Sequence, residues 1–485
     1  MQIMPDLRPV FFVIGLMVSA LGVLMLVPVG VDYLYKDNSW QAFLISAILT
    51  TLIGGIMVFA ARTEDRNLRA RGAFVLTTFS WIALAFFAAV PLYLSPIGVG
   101  LIDALFESVS GITTTGSTVF TGLDDMPKGV LIWRSLLQWI GGVGIIVTAM
   151  AILPMLKVGG MQLFRLESSD MSEKILPKAA SIAAAIGLIY LVLTVLCAIG
   201  YALVGMSGFD AVAHAMTTIA TGGYSTSDAS IGGFMDNGAD LVCIAFMLAG
   251  ALPFGVYLMA VRGNARSAVM DSQMRAFLLV ITGLIAVVTI FLWGSSDLPR
   301  LEGLRLAAFN TISVVTGTGF ATADYNAWGP FAVAAFFCFM FIGGCAGSTA
   351  CSIKIFRYQV AFEALRSYLF RMPRPNAVAP MRYNGGPLPE TVVYSVMGFF
   401  FLFFACFAVG AVALSMTGLD PITAWSASAT AIANVGPGLG DVIGPAGNFE
   451  SLPTISKWIL MAGMLLGRLE IITALVLLTP SFWRA

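Results

Sequence analysis

Charge is what this sequence has least of. Of its 485 residues only 11% are Asp, Glu, Lys or Arg, against about 25% in soluble domains, while 58% are hydrophobic. That balance excludes an ordinary soluble domain and implies a membrane protein. The formal net charge is zero, so nothing favours nucleic acid as a partner. Histidine is nearly missing: His214 stands alone, which excludes a multi-histidine metal centre. The six cysteines, Cys197, Cys243, Cys338, Cys345, Cys351 and Cys406, form no CxxC pair and lie mostly in apolar runs. They read as small buried hydrophobes rather than disulfides or metal ligands. There is no HExxH motif, P-loop or paired catalytic set, which argues against an enzyme. No small-x-small cleavage site follows the first apolar run, Pro9 to Val31, so that run is expected to span rather than to be removed.

What the chain does have is long apolar runs and 50 glycines. A spanning helix needs about 20 mostly apolar residues. Candidates lie near 9–31, 41–61, 73–95, 130–156, 181–205, 239–261, 276–294, 329–359, 392–416 and 455–479. One short theme recurs between them, as ESVSGITTTGST, AMTTIATGGYST, NTISVVTGTGFAT and ATAIANVGPGLG. With Gly116, Gly223, Gly319 and Gly436 in register, an alanine stands twelve residues earlier in every copy (Ala104, Ala211, Ala307, Ala424). An aspartate stands five residues later in three (Asp228, Asp324, Asp441), with Thr121 there in the first. Gly317 and Gly438 offer other frames, but those offsets select Gly319 and Gly436. The glycines are 107, 96 and 117 residues apart (223−116, 319−223, 436−319), which suits one structural unit each. The expected fold is an all-α polytopic membrane protein. A two-helix preface (1–70) precedes four helix–pore loop–helix repeats (71–160, 175–270, 271–382 and 383–485) around a central pore.

Basic residues set the orientation. With the N-terminus inside, one side holds Arg8, Arg62, Arg66, Arg69, Arg71, Lys157, Arg165, Lys174, Lys178, Arg262, Arg266, Arg275, Lys354, Arg357, Arg366, Arg371, Arg374, Arg382 and Arg484. That is 19 of 26, against six outside (Lys36, Lys128, Arg134, Arg300, Arg305, Lys457), with Arg468 inside a span. The bias puts both termini in the cytoplasm and all four loops on the outer half. The segment Arg357–Pro389 reads as a polar inner connector, a solvated linker or a contact for a soluble partner.

Each copy opens with an amphipathic segment too short to cross, such as Asp103–Ile112, and then breaks into Thr and Gly. Non-helical backbone at membrane depth survives only where protein buries it or where it lines water. A half-helix entering from outside points its C-terminal carbonyls, about half a negative charge, toward the middle. Four such ends around one axis favour a cation, and Gly lets carbonyls turn inward without a Cβ clash. The candidate filter segments are Thr113–Ser117, Ala220–Tyr224, Thr316–Phe320 and Ala433–Pro437. The ion ligands are expected from Thr113, Thr114, Gly116, Ala220, Thr221, Gly223, Thr316, Gly317, Gly319, Ala433, Asn434 and Gly436. Further on, Gly343, Gly344, Gly347 and Ser348 interrupt an expected span, which permits a kink or an unwound stretch below the filter. Arg468 is costly inside a span, by about 3 kcal/mol or more, and such a residue usually faces a cavity or a partner. Glu470, two residues on, falls on another helix face and is a doubtful mate for it.

The whole chain resembles the Trk/Ktr/HKT superfamily of potassium transporters, most closely its bacterial TrkH type. The likeness rests on the preface, the four loops, WRSLLQWIGGVGI at Trp133–Ile145, GGCAGSTACSIKIFR at Gly343–Arg357 and GRLEI at Gly467–Ile471. It implies a pseudo-fourfold pore, potassium as the transported ion, no organic cofactor, and the bacterial inner membrane as location. It also implies a homodimer working with a cytoplasmic TrkA-type nucleotide-binding subunit, since this chain has no nucleotide-binding segment of its own. In that family Ser in place of the first filter Gly goes with sodium preference; Gly116 stands there here. The resemblance further implies that the Gly343–Ser348 stretch and Arg468 form the gate. Asn434, Val435 and Pro437 depart most from the pattern, so the ring is expected to be asymmetric.

Some residues stay open. His214 aligns with Glu107, Asn310 and Ala427, nine residues before the filter glycine, and is expected to pack on a pore-helix flank. Asp228, Asp324 and Asp441 would either gather cations at the mouth or cap a turn. Glu107 would brace the filter or attract cations. A cation-coupled secondary transporter is the rival function.

Overall fold

In the computed structural model, residues 7–63, 70–149, 179–264, 266 and 269–484 are described. The chain is predominantly helical. Among these residues seven helices are long and apolar enough to cross a membrane, and two more apolar runs are broken pairs bent by 90° and 105°. This is a multi-pass membrane protein.

The preface is a hairpin of Arg8–Leu24 with Leu26–Tyr35 against Trp40–Ala60. Its helices meet along small residues. A Cβ on Gly15 would come within 2.9 Å of Gly54 O, and one on Gly22 within 2.7 Å of Thr51 N. Such close backbone approach is how helices associate where lipid removes the hydrophobic drive. The hairpin's polar turn then reaches the first repeat. Asp32 is fully buried, and its Oδ1 accepts from Gly129 N at 2.5 Å, while Asp37 Oδ2 accepts from Lys128 N at 2.7 Å. Two carboxylates thus satisfy the orphan N–H groups that begin helix Lys128–Val147.

Each repeat runs outer helix, pore helix, filter, inner segment. The outer helices are Ala70–Leu94, Ala179–Leu203, Ser272–Ser295 and Glu390–Ser415. The pore helices are Leu101–Ile112, Gly208–Ile219, Arg300–Thr316 and Pro421–Ala433. Twelve residues rise only about 18 Å, well short of a hydrocarbon core of about 30 Å. Two pore helices are started by side-chain caps, Ser207 Oγ accepting from Asp210 N at 3.1 Å and Asp420 Oδ2 from Thr423 N at 3.0 Å. Pro421 stands in the first turn of the latter, where its missing N–H costs nothing.

The inner segments depart from the expected spans. The run 239–261 breaks between Ala239–Ala251 and Phe254–Val261, at Pro253, which cannot donate to the preceding turn. The run 455–479 breaks after Thr454–Arg468. Arg468 is therefore the last residue of a helix rather than a mid-span residue, and Glu470 and Ile471 follow with φ of 61° and 45°. A β-branched residue at positive φ is strained. The run 329–359 is not a spanning helix. Pro330–Phe339 ends after ten residues, Met340–Lys354 is a loop, and Ile355–Arg371 begins a new helix. The expected break at Gly343–Ser348 is thus a full interruption. The first inner helix is described through Val147; 150–156 of the expected 130–156 span lie outside the described residues, as do Arg66, Arg69, Lys157, Arg165, Lys174 and Lys178.

The connector Arg357–Pro389 is not a plain linker. Helix Ile355–Arg371 occupies its first half, and a hairpin pairs Arg382–Tyr383 with Gly386–Pro387. Asn384 and Gly385 turn it with φ of 48° and 83°, the left-handed pair that a two-residue hairpin turn demands.

Candidate functional site

The four filter segments meet. A Cβ added to Gly116 would overlap Gly222 O, and one added to Gly223 would overlap Thr318 O. One on Gly319 would stand 2.9 Å from Gly436 N and from Pro437 Cδ, and one on Gly436 would stand 3.2 Å from Gly116 O and Thr115 O. First touches second, second touches third, third touches fourth, and fourth touches first. The contacts close a ring of main chain around one axis, with no room for a Cβ at Gly116, Gly223 or Gly319 and a tight fit at Gly436.

Conformation repeats with the register. Two residues before each filter glycine, Thr114, Thr221, Gly317 and Asn434 all take positive φ, at 55°, 49°, 76° and 52°. Gly317 is therefore the third copy's counterpart of Thr114, and the frame on Gly319 stands. Gly116, Gly223 and Gly319 follow at 86°, 81° and 82°. Thr113 and Ala220, by contrast, are right-handed. Alternating hands along a strand turn successive carbonyls toward the same side, which a single-handed strand does not do. Gly436 is the exception, since its φ is not positive. Pro437 follows it, and the ring Cδ restricts the preceding residue toward extended backbone. The fourth segment thus differs from the other three in conformation as well as in composition.

Side chains brace the ring, some from surrounding helices and some from its own segments. Gln138 Nε2 donates to Gly222 O at 2.6 Å, and its Oε1 accepts from Tyr224 N at 3.0 Å. Tyr224 Oη donates to Glu107 O at 2.8 Å. Arg134 Nε donates to Glu107 Oε1 at 2.7 Å with both side chains buried, its Nη1 donates to Ser225 O at 3.0 Å, and its guanidinium lies 4.2 Å from the Tyr224 ring centre. A buried pair so fully bonded is costly to break. Ser117 Oγ donates to Gly436 O at 2.8 Å, and Asn434 Nδ2 donates to Thr115 Oγ1 and to Met464 O, each at 2.9 Å. Thr113 and Thr115 hydroxyls share a 2.7 Å bond, as do Thr316 and Thr318.

The position nine residues before the glycine does the same work in three repeats. Glu107 Oε2 accepts from Val119 N at 3.0 Å, His214 Nε2 meets Ser225 Oγ at 2.9 Å, and Asn310 Oδ1 accepts from Thr322 N at 3.3 Å. Each ties the pore helix to the strand rising from the filter. Ala427 has no such group, and Ser426 Oγ accepts instead from Leu439 N at 3.0 Å. Of the aspartates, Asp228 accepts from Gly122 N and Leu123 N of the first repeat, and Asp324 caps Asn326 N. Asp441 stays exposed and makes no such bond among the described residues.

Below the ring lies the Met340–Lys354 loop, held mainly by backbone. Cys345 N donates to Ala251 O, Thr349 N to Gly250 O, and Ile355 N to Gly344 O, while Phe254 N donates to Gly347 O. Gly343 N donates to Ile353 O within the loop, and Ser348 Oγ donates to Cys345 O at 2.7 Å. Arg468 reaches this loop from the fourth repeat. Its Nη1 donates to Cys351 Sγ at 3.0 Å and to Thr349 O at 3.5 Å, and its Nη2 to Gly141 O at 3.4 Å. Gly343, Gly344, Gly347 and Ser348 thus lie in one loop, which Arg468 bonds just beyond them, at Thr349 and Cys351. Glu470 pairs with Arg357 rather than with Arg468; the expected separation holds, but because the helix ends at Arg468 and not because the two share a helix with different faces.

Gln138, Arg134 and Tyr224 were not singled out as braces by sequence reasoning. Gln138 and Arg134 lie in WRSLLQWIGGVGI, and the signal was two polar residues one turn apart in an otherwise apolar helix.

The comparisons agree with this geometry. A family model described as a cation transport protein, TrkH, matches residues 39–484. The Trk system potassium uptake protein TrkI of Halomonas elongata is 45% identical over 98% of this chain and 97% of its own. The Trk system potassium uptake protein TrkH of Escherichia coli is 38% identical over 98% and 99%. The crystal structure of the potassium transporter TrkH from Vibrio parahaemolyticus superposes with a TM-score of 0.91 at 36% identity, covering 98% of this chain and 99% of that one. Four main-chain segments closed into one ring, in a chain matched end to end by these proteins, belong to a transporter rather than an enzyme: the chain is a member of the TrkH family of cation transport proteins.

Proposed function

We propose that this protein carries potassium across the bacterial inner membrane, through the ring formed by Thr113–Ser117, Ala220–Tyr224, Thr316–Phe320 and Ala433–Pro437. The observation that carries this is the closed cycle of contacts among Gly116, Gly223, Gly319 and Gly436. Four segments gathered so closely present main-chain oxygen to one axis, which is how a protein replaces the water shell of a bare monovalent cation. The repeats 71–160, 175–270, 271–382 and 383–485 each supply one quarter, and 1–70 anchors the first inner helix. Both termini face the cytoplasm, in keeping with the distribution of Lys and Arg.

The Gly343–Ser348 loop and Arg468 form the gate. The loop lies below the ring, and a buried guanidinium against it opposes a passing cation. The protein works as a homodimer with a cytoplasmic TrkA-type nucleotide-binding subunit, a reading that rests on the named Trk system relatives. Purified protein in liposomes tests the central point. Rb⁺ and K⁺ are expected to enter freely and Na⁺ poorly, and Gly116→Ser is expected to erase the difference. Equal entry of all three ions in the unsubstituted protein would overturn it.

A further inference from the structure

The carbonyl oxygens of the four filter segments are not equally free. Among the described residues, the oxygens of Thr114, Thr221, Gly317 and Asn434 accept no hydrogen bond. One level up, Gly222 O is held by Gln138, and at the glycine level Gly436 O is held by Ser117. Gln138 stands on a helix outside the ring, and Ser117 belongs to the first filter segment; neither is part of the loop below. The lowest level, formed by Thr113, Ala220, Thr316 and Ala433, is different, because one of its oxygens is held from the gate. Ser352 N donates to Ala433 O at 2.9 Å. Ala220 O also has a partner, the hydroxyl of its own neighbour Thr221 at 2.8 Å. A hydroxyl yields by turning about one bond. A peptide N–H yields only if its backbone moves.

That N–H is held firmly. Ser352 has φ of 61°, a left-handed conformation that a non-glycine residue keeps only under constraint. Its Oγ donates to Met340 O at 2.6 Å. Cys351 Cβ would lie 2.8 Å from a Cβ on Gly317, so the loop tip presses on the third filter segment. The single proton of Thr349 Oγ1 is shared between Ile219 O and Gly250 O, each 2.9 Å away, which ties the tip to the second repeat at the carbonyl end of its pore helix. Arg468 holds Cys351 from the fourth.

We propose that the loop tip Thr349–Ser352 caps a cation site at the foot of the filter, made of the Thr113, Ala220, Thr316 and Ala433 carbonyls and completed only when Ser352 N–H leaves Ala433 O. Its ligand is a dehydrated K⁺ or Rb⁺. This rests on the carbonyl-filter reading above and adds that opening the gate and completing the lowest site are one movement. The open protein therefore binds K⁺ more tightly than the capped one, and a K⁺ arriving at the foot favours the open loop by the same coupling.

The test exchanges Ser352 for its α-hydroxy-acid counterpart, which keeps the side chain and removes only the N–H. Flux of K⁺, Rb⁺ and Na⁺ is then measured in liposomes. The half-saturating K⁺ concentration is expected to fall on the order of fivefold, with K⁺ favoured over Na⁺ at least as strongly as before. Thr349→Val, which loses both hydroxyl anchors, is expected to shift it the same way, and Thr349→Ser to restore it. An unchanged K⁺ half-saturation in both changed proteins, or a parallel rise in Na⁺ flux, overturns the cap. Gly116→Ser run alongside separates the two readings: if it erases discrimination while the Ser352 and Thr349 changes do nothing, the filter stands and the cap falls.

Discussion

The filter and the loop beneath it are both irregular backbone at membrane depth, yet they are held in opposite ways. The filter is held by buried side chains: Gln138, Arg134 and Glu107 reach in from helices, and Tyr224, Ser117 and Asn434 of its own segments bond across it or to its neighbours. The loop is held by main-chain bonds to Gly250, Ala251 and Ala433 of other repeats, together with side-chain ties that include Thr349, Arg468, Gln273 Oε1 accepting from Ala346 N, and Tyr358 Oη donating to Phe341 O. Side chains locked in packed helices fix a geometry that must discriminate between ions of one charge. Backbone bonds between a loop and its neighbours can be exchanged for others when the loop moves. On the proposed reading, one region stays and the other is released.

Breaking the filter's frame is expected to have the largest effect. Arg134→Ala leaves the Glu107 carboxylate buried without its partner, at a cost of about 3–5 kcal/mol. Thermal unfolding in detergent is expected to show a clear fall in midpoint, with K⁺ flux lost. An unchanged midpoint would mean the pair is not a frame element. Gly116→Ser comes next. Its Cβ displaces Gly222 O, and discrimination of K⁺ over Na⁺ is expected to fall by tenfold or more, about 1.4 kcal/mol. Gln138→Met keeps the volume and removes both amide bonds to the second segment. One carbonyl and one N–H left unpaired cost about 1–3 kcal/mol each in stability, so a lower unfolding midpoint is expected together with a lower K⁺/Na⁺ flux ratio.

On the loop side the comparison predicts the reverse sign. Arg468→Ala removes a tie rather than a brace, so flux of every permeant ion is expected to rise several-fold while the K⁺/Na⁺ ratio holds, since the ring is untouched. Flux and gating identical to the unsubstituted protein would take Arg468 out of the mechanism. His214→Gln is the smallest change. The imidazole bonds Asp210 O and Ser225 Oγ at 2.9 Å each, and an amide spans similar ground. A change within about twofold in flux is expected, with no alteration in its pH profile.

The ring was legible because it is written four times. One Thr/Gly stretch is ambiguous, but the common alanine twelve residues before the glycine fixed the frame even where Gly317 competed with Gly319. The interruption at Gly343–Ser348 was legible as a cluster of poor helix formers. The break at Pro253 carried a local signal that the apolar length of 239–261 masked, and the Asn384-Gly385 hairpin likewise stood in plain view within a polar stretch. The break at Glu470–Ile471 carries none. Neither residue is a helix breaker, and the positive φ there accompanies contacts distant in sequence, Glu470 with Arg357 and Arg468 with Cys351. Gln138 was hidden for the same kind of reason, since its partners, Gly222 and Tyr224, are 84 and 86 residues away.

The most direct test is anomalous diffraction from crystals of the protein grown with Rb⁺. The account predicts an anomalous peak on the ring's axis, level with the carbonyls of Thr114, Thr221, Gly317 and Asn434, and its disappearance when Na⁺ replaces Rb⁺. Rb⁺ found only among the outer aspartates, with the axis empty, would contradict it.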